Sequence, residues 1–317
     1  MRDSETLERI RALRIPPAWR GVWICLDPRG HLQATGIDAA GRKQYLYHER
    51  WRSRRDRQKF DEMLDFARAL PELRARVNRD LGFDGLGRER VLACAVRLLD
   101  RGFFRIGGED YAEDNSTYGL ATMRREHVRL GRDGVLTFDY PAKGGLRRKQ
   151  SVLDPEAYEV VAALKRRRTG DELLAFRRGK TWSDVRSADI NAYVKEATGG
   201  DFSAKDFRTW NATVLAAVSI GVFGGRAATP SARKRVIALT FKEVARYLGN
   251  TPAVCRASYV DPRVVDRFNA GVTIGGVVDE LGNEPGSPVQ AEIEEAVIAL
   301  LEGDFTAEAV QRVPEAA

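Results

Sequence analysis

The stretch Gly21-Val-Trp-Ile-Cys-Leu26, followed by Leu32-Gln-Ala-Thr-Gly-Ile37 and Gln44-Tyr-Leu-Tyr47, alternates in the manner of β-strands. Asp27-Pro-Arg-Gly30 and Asp38-Ala-Ala-Gly-Arg42 separate these segments, and both are rich in turn-forming residues. The sequence therefore predicts short strands joined by tight turns near its amino end.

A basic stretch with helical periodicity follows over residues 51–81. A cluster of glycines comes next, which is typical of a linker between domains: Gly82, Gly85 and Gly87. We therefore expect a small β-containing N-terminal domain over residues 1–84 and a second domain over residues 85–317.

The second domain has a mostly helical pattern. A β-hairpin is predicted over Gly134–Val152, because strand-like segments flank the turn Gly144-Gly145. A helix is predicted to begin at Asp154-Pro155, with aspartate as the cap and proline in the first turn. Further helices are expected near 187–198, 204–221, 231–248 and 287–302. The predicted class is α+β: a small β-containing lobe and a larger, mostly α-helical catalytic lobe with a β-hairpin.

The net charge of +7 hides an uneven distribution. Residues 271–317 hold one basic and ten acidic residues, whereas residues 1–270 hold 51 basic and 35 acidic ones, a formal charge of +16. Such a positive surface attracts polyanions through long-range electrostatics and counterion release. A solvated, arginine-rich surface would give the same count, and charge alone does not separate DNA from RNA or a membrane.

Several features argue against a metal, a nucleotide cofactor or a membrane span. The three cysteines and three histidines have no metal-ligand spacing, and so few cysteines fit a reducing cytoplasm. Gly179-Lys-Thr181 ends like a P-loop, but Leu174 replaces the required glycine and an arginine-rich stretch interpreted as helix precedes it. The longest apolar run, Ala212–Gly225, is too short for a bilayer. The charged segment Met1–Arg14 lacks the pattern of a secretory signal.

Residues suited to phosphodiester chemistry occur in separate segments. These segments are Phe103-Phe-Arg-Ile-Gly-Gly-Glu-Asp-Tyr111, Tyr140-Pro-Ala-Lys-Gly-Gly145, Ala204-Lys-Asp-Phe-Arg-Thr-Trp210, Leu248-Gly-Asn-Thr-Pro252 and Arg256-Ala-Ser-Tyr-Val260. A phosphodiester repels a nucleophile until cations neutralise the developing charge, and arginine supplies a permanent charge with a fixed fork of donors. A phenol is mostly neutral near pH 7 and needs such a field to attack. Taken singly, each residue also fits a structural role.

In their order and spacing, these segments resemble the poxvirus-type, type IB DNA topoisomerases in their bacterial branch. The resemblance covers almost the whole chain, beginning at Arg14-Ile-Pro-Pro-Ala-Trp19 and running through Gly41-Arg-Lys-Gln-Tyr-Leu-Tyr-His48. It implies that the chain relaxes supercoiled DNA by cutting and resealing one strand. Because the phosphotyrosine bond stores the energy of the broken bond, the resemblance implies no ATP, no metal and no other cofactor.

The resemblance also implies a role for each catalytic residue. Tyr259 takes the 3′ phosphate and releases a 5′ hydroxyl, while Arg105 and Arg208 bind the non-bridging phosphate oxygens. Lys143, at the hairpin tip, protonates the leaving oxygen. Many relatives carry histidine where Asn250 stands, and asparagine can donate a hydrogen bond but cannot carry charge. We therefore expect Asn250 only to stabilise the transition state.

Duplex DNA is the partner that the resemblance implies. The resemblance implies that a strand with Gln44, Tyr45 and Tyr47 lies in the DNA groove, and that Tyr111 and Lys205 contact phosphates near the active site. Family members often carry lysine just before the fourth of these positions, whereas this chain has an aspartate there, which weakens the expected backbone contact. We expect a monomer that closes around DNA as a C-shaped clamp, in the cytoplasm and associated with the nucleoid.

Two other functions fit part of the pattern. A tyrosine recombinase shares the arginines, lysine and tyrosine, but recombinases usually place histidine near the second arginine, where Lys205-Asp-Phe-Arg208 stands here. A strand-rich amino domain also fits a clamp better than the helical arm-binding domain of a recombinase. A non-catalytic DNA-binding protein of the nucleoid would explain the charge without any role for Tyr259.

Overall fold

The computed structural model describes residues 3–109, 112, 115–225, 227–281, 289–304 and 310–312. The chain forms two compact units, Met1–Glu62 and Met63–Ala317. The predicted division into two functional lobes, residues 1–84 and residues 85–317, stays a prediction.

The first unit contains a helix and an antiparallel sheet with strand order β1-β2-β3. Asp3 caps the helix, because its carboxylate accepts hydrogen bonds from backbone amides of the first turn. The strands coincide with the predicted segments, which are thereby confirmed. The elements are α1 (Ser4–Ala12), β1 (Arg20–Ile24), β2 (Leu32–Ile37) and β3 (Lys43–Tyr47).

The two faces of this sheet differ in burial. Trp23, Thr35 and Tyr45 are cross-strand partners in one row, so their side chains lie on the same face. Trp23 is 50% exposed and Tyr45 is 47% exposed. On the other face the Trp19 ring packs so closely over Gly36 that a Cβ there would lie 2.6 Å from a ring carbon. The sheet is therefore covered on one side and presents aromatic rings on the other.

Helix α2, Glu49–Leu81, contains the boundary between the two units. In its second-unit part, Phe66, Leu70, Leu73 and Val77 recur every three or four residues, and all are buried. This spacing is the apolar stripe of a helix that packs on a core.

The second unit is mainly helical, with small antiparallel sheets. This mixture confirms the predicted α+β class. Its elements are α3 (Arg88–Gly102), β4 (Val128–Leu130), β5 (Val135–Pro141), β6 (Arg147–Leu153), α4 (Pro155–Lys165), β7 (Ala175–Arg178), β8 (Thr181–Asp184), α5 (Ser187–Thr198), α6 (Ala204–Gly224), α7 (Pro230–Leu248), α8 (Pro252–Ser258), α9 (Pro262–Asn269), β9 (Val272–Thr273), α10 (Gly275–Leu281), α11 (Val289–Glu302) and β10 (Gln311–Arg312).

Two hairpins show where sequence patterns succeed and fail. The predicted hairpin is confirmed as β5 paired with β6, with the register Val135 to Leu153 at its base. The residues before Gly179, interpreted as helix from the sequence, instead form strand β7, which pairs with β8. That interpretation was wrong because a four-residue strand is too short for a period-two pattern to stand out among arginines. Gly179-Lys180 is a hairpin turn.

Helix α6 forms the centre of the second unit and contacts α3, α7, α9 and α10. Phe207, Trp210, Ala212 and Ala216 on it are almost fully buried, so its apolar run serves a protein core. None of the described helices is both long and apolar enough to cross a membrane.

Asp154 fixes the base of the β5–β6 hairpin to α3. Its side chain is 1% exposed and lies 3.2 Å from Arg97 Nη1 and 2.9 Å from Arg101 Nη1. Its other oxygen accepts a 2.9 Å hydrogen bond from the Ala157 amide, as the N-cap of α4. One buried carboxylate therefore fixes the positions of α3, β6 and α4 together.

We expect Asp154→Ala to lower the free energy of unfolding by about 3–5 kcal/mol, because Nη1 of buried Arg97 would lose its carboxylate and α4 would lose its N-cap. Urea unfolding measures this change. Asp139→Ala is the control, since it removes an ion pair with Arg147 on the same hairpin at the protein surface, and it should cost much less. Equal losses in the two variants would contradict the anchoring role of Asp154.

Helices α5 and α7 end on glycines with left-handed backbones, Gly199 at φ +66° and Gly249 at φ +62°. A Cβ on Gly199 would meet nothing within 4 Å. A Cβ on Gly249 would overlap Nη1 of Arg148, whose guanidinium is held by the Tyr247 carbonyl. Only the second glycine is needed for packing as well as for conformation.

We expect Gly199→Ala to destabilise the protein by about 1–2 kcal/mol, the cost of a left-handed alanine. Gly249→Ala should cost about 1 kcal/mol more, because it displaces the Arg148 guanidinium from its carbonyl partner. Urea unfolding of both variants measures the difference. If the two losses are the same, the close approach at Gly249 is not a constraint.

Candidate active site

Arg208, on the second turn of α6, is 4% exposed. Its Nη1 donates to the Phe103 carbonyl at 2.6 Å and its Nη2 to the Leu248 carbonyl at 3.0 Å. The first carbonyl follows α3 and the second ends α7, so the side chain connects three helices. Its Nε is buried and has no hydrogen-bond partner among the described residues.

Arg105 and Asn250 form the second part of the cluster. Arg105 Nη2 donates to the Gly249 carbonyl at 3.1 Å and to Oδ1 of Asn250. Because arginine only donates, the amide oxygen must face it, and Nδ2 of Asn250 points elsewhere. That Nδ2 is buried and is unpartnered within the described part of the chain.

Tyr259 lies at the C-terminal end of α8, half-buried, with its ring centroid 5.2 Å from Cζ of Arg208. Its backbone is fixed by Thr213, a fully buried residue of α6. The Thr213 hydroxyl donates to the Thr209 carbonyl at 2.9 Å, accepts a 3.1 Å hydrogen bond from the Asp261 amide and lies 3.3 Å from the Tyr259 carbonyl. The helix that carries Arg208 thus also holds the backbone around the phenol.

Burial lowers the pKa of Arg208 to about 10, and the like charge of Arg105 acts in the same direction, while Tyr259 opposes it. The guanidinium is still protonated at neutral pH. In the described residues, no carboxylate forms an ion pair with Arg105 or Arg208, and no three His, Cys, Asp or Glu side chains are grouped to hold a metal ion. A buried cation that has no counterion favours the binding of an anion beside it.

Lys143 is exposed in the turn between β5 and β6. It lines a cleft of about 850 Å³ together with Arg105, Asn250 and Thr251. Arg208 and Tyr259 are outside the lining of this cleft. The structure therefore brings Arg105, Arg208, Asn250 and Tyr259 together, with Lys143 at the rim of the cleft beside them.

The DNA-contact positions lie in different surroundings. Tyr45 and Tyr47 stack with centroids 6.2 Å apart, and Tyr47 stacks on Trp51 at 4.3 Å. Gln44 is on the opposite side of the strand, where its amide donates to Asp38 at 2.9 Å. The predicted groove-contacting set therefore divides between two faces of the sheet in the first unit.

In the second unit, Lys205 is exposed on the first turn of α6. Tyr111 lies outside the described residues. Of the two predicted phosphate-contacting positions near the catalytic cluster, only Lys205 therefore has a described place.

Two residues of this region were missed from the sequence. Thr213 gave no signal, because a threonine inside an apolar helix is ordinary. Arg148 did give one: counting back in twos from buried Val152 places Gln150 and Arg148 on the covered face of β6, where arginine is unusual. Arg148 Nη2 donates to the Tyr247 carbonyl, one residue before the carbonyl that Arg208 binds.

Comparisons with known proteins identify the family of the chain. Residues 48–271 match the family model of the eukaryotic DNA topoisomerase I catalytic core, and residues 1–38 match that of the bacterial DNA topoisomerase IB N-terminal domain. The predicted catalytic set falls within the first match.

Curated relatives point the same way. The chain is 34% identical over 267 residues to DNA topoisomerase 1B of Acanthamoeba polyphaga mimivirus, which covers 81% of this chain and 78% of the relative. It is 19% identical over 233 residues to DNA topoisomerase 1B of Vaccinia virus (strain Copenhagen), or 73% and 71% of the two chains. DNA topoisomerase 1 of Schizosaccharomyces pombe is 30% identical over 161 residues, half of this chain and 19% of the relative. Because one family model spans most of the chain and a viral relative is similar over most of both lengths, the chain belongs to the type IB DNA topoisomerase family.

Proposed function

We propose that this chain relaxes supercoiled double-stranded DNA by transient cleavage of one strand through a phosphotyrosine bond at Tyr259. Arg105, Arg208 and Asn250 bind the scissile phosphate, and Lys143 acts as the general acid. The reaction uses neither ATP nor a metal ion.

The observation that carries this proposal is a pair of unsatisfied donors. Nε of Arg208 and Nδ2 of Asn250 are both buried without a partner among the described residues. Leaving a buried donor unpaired costs about 1–3 kcal/mol, so an acceptor that enters the site and binds these two donors would be stabilised. Both donors lie in a cluster that also contains the phenol of Tyr259 and two arginine charges without carboxylate partners in the described part of the chain. A phosphate oxygen is the acceptor that fits them.

The reaction follows from these groups. The Tyr259 oxygen attacks phosphorus and gives its proton to solvent water, while the bond to the 5′ oxygen breaks. Arg105 and Arg208 stabilise the charge that develops on the non-bridging oxygens, and Lys143 gives the leaving oxygen a proton. The product is a 3′-phosphotyrosyl bond and a 5′ hydroxyl. Resealing is the reverse step, so no external energy source is required.

We also propose how the DNA is held. A β-containing lobe of residues 1–84 and a catalytic lobe of residues 85–317 close around the duplex as a C-shaped clamp in a monomeric protein. Support comes from the +16 charge of residues 1–270 and from the exposed aromatic face of the sheet. Contacts to DNA come from the predicted set: Gln44, Tyr45, Tyr47, Tyr111 and Lys205. In the cell, such an enzyme works on the nucleoid in the cytoplasm.

Relaxation of a supercoiled plasmid in EDTA tests the function. Wild-type protein should relax it and, when stopped with detergent, leave protein covalently joined to DNA. Tyr259→Phe should abolish both results, because the nucleophile is lost. Tyr158→Phe, on α4 and outside the lining of the cleft, removes a hydroxyl that donates to the Gly131 carbonyl; it is the control and should stay active. A protein that acts only at its own recombination sites, or that binds without cleaving, would contradict the proposal.

Asn250→Ala should lower the cleavage rate about 10- to 100-fold, the loss of one hydrogen bond to a charged acceptor. We expect it to be the least costly of the five catalytic residues to replace. Rates of covalent adduct formation, measured with enzyme in excess, give the comparison. A loss as large as that of Tyr259→Phe would show that the amide has a larger role than a single hydrogen bond.

A further inference from the structure

The C-terminal end of α7 binds three arginines. The carbonyls of Tyr247, Leu248 and Gly249 are consecutive, and each accepts a hydrogen bond from a different side chain. The donors, in the same order, are Arg148, Arg208 and Arg105. The last carbonyls of a helix lack partners within the helix and form the negative end of its dipole, so this end suits cations.

Arg148 shares the electrostatic situation of Arg208. Burial lowers the pKa of Arg148, and the charge of Arg105 acts in the same direction, while Tyr140 opposes it. In the described residues, no carboxylate forms an ion pair with Arg148. Its guanidinium also donates to Gln150, another neutral side chain. Its positive charge is therefore uncompensated within the protein.

The neighbouring residue shows what an ordinary hairpin arginine does. Arg147 points to the other face of β6, is exposed, and forms an ion pair with Asp139 at 2.7 Å. The two arginines are adjacent in sequence and both line the cleft, but the charge of Arg147 is paired with a carboxylate, whereas Arg148 is held by a carbonyl at the end of α7. This contrast provides a matched internal control.

Arg148 also contacts the turn that holds Asn250. A Cβ on residue 249 would overlap Nη1 of Arg148. The same Cβ would lie 3.8 Å from Nη1 of Arg105. Arg148 lines the cleft that contains Lys143, Arg105 and Asn250. A change at Arg148 would therefore alter both the support of this turn and the field in the cleft.

We propose that Arg148 is a positioning residue for strand cleavage: from the end of α7 it supports the Gly249–Asn250 turn and adds a third uncompensated cation to the field around the phosphate. This inference rests on the proposed function. The field stabilises the negative charge that develops on the phosphate oxygens, and the support keeps Arg105 and Asn250 in place.

The test compares Arg148→Gln, Arg148→Lys and Arg147→Gln by single-turnover cleavage of duplex DNA. Arg148→Gln should slow cleavage about 10- to 100-fold, because it removes both the charge and the support of the turn. Arg148→Lys keeps the charge and should restore much of the lost rate, which a merely structural role would not predict. Arg147→Gln should change the rate far less, because the charge of Arg147 is already paired with Asp139.

DNA affinity measured in the Tyr259→Phe background separates binding from chemistry, and we expect Arg148→Gln to change it little. Thermal unfolding monitors the fold, and the lysine variant still tests the charge if the glutamine variant is unstable. A rate for Arg148→Gln equal to that of Arg147→Gln, or no recovery of rate in Arg148→Lys, would overturn the inference. Failure of the wild-type protein to form any covalent adduct would instead overturn the proposed function.

Discussion

Arg105 and Arg208 are held by carbonyl oxygens at the end of α7 and after α3, whereas an ordinary buried arginine is held by carboxylates. A carbonyl fixes a guanidinium by hydrogen bonding without cancelling its charge, while a carboxylate would do both. The site therefore keeps cations that are oriented and still available to an anion. If carboxylates replaced these carbonyls, the two guanidiniums could keep their positions, but their attraction for phosphate would be lost.

This arrangement has an energetic cost. Because burial lowers the pKa of Arg208 to about 10, the folded state binds that proton less tightly than the unfolded chain does. The penalty is present below the folded pKa, hence at neutral pH, and is relieved only as the pH rises through it. An anion bound in the site relieves it without deprotonation, so ligand binding and stability are linked. Asp154 and the core around α6 hold the elements together against this cost.

The fold was more accessible from the sequence than the site was. Strand alternation, the Gly144-Gly145 turn and the Asp154-Pro155 cap are local signals, and the structure confirms the elements they predict. The types of the clustered residues and their order along the chain were also readable through family resemblance. Their anchors were not, because a backbone carbonyl has no sequence signature and the partners of Arg208 lie 105 and 40 residues away. Strand β7 was misread because so short an element is defined by its partner, β8.

Thr213 has a consequence for the step between cleavage and resealing. The Thr213 hydroxyl attaches the Asp261 amide, two residues after the nucleophile, to the helix that presents Arg208, which limits how far the phenol can move from that guanidinium. In the proposed reaction, the end of DNA that is bonded to protein would stay aligned with its cation while the free end swivels. Accurate rejoining then requires that the free 5′ hydroxyl end return to the phosphotyrosine, whose movement is limited. The protein does not have to move toward that end.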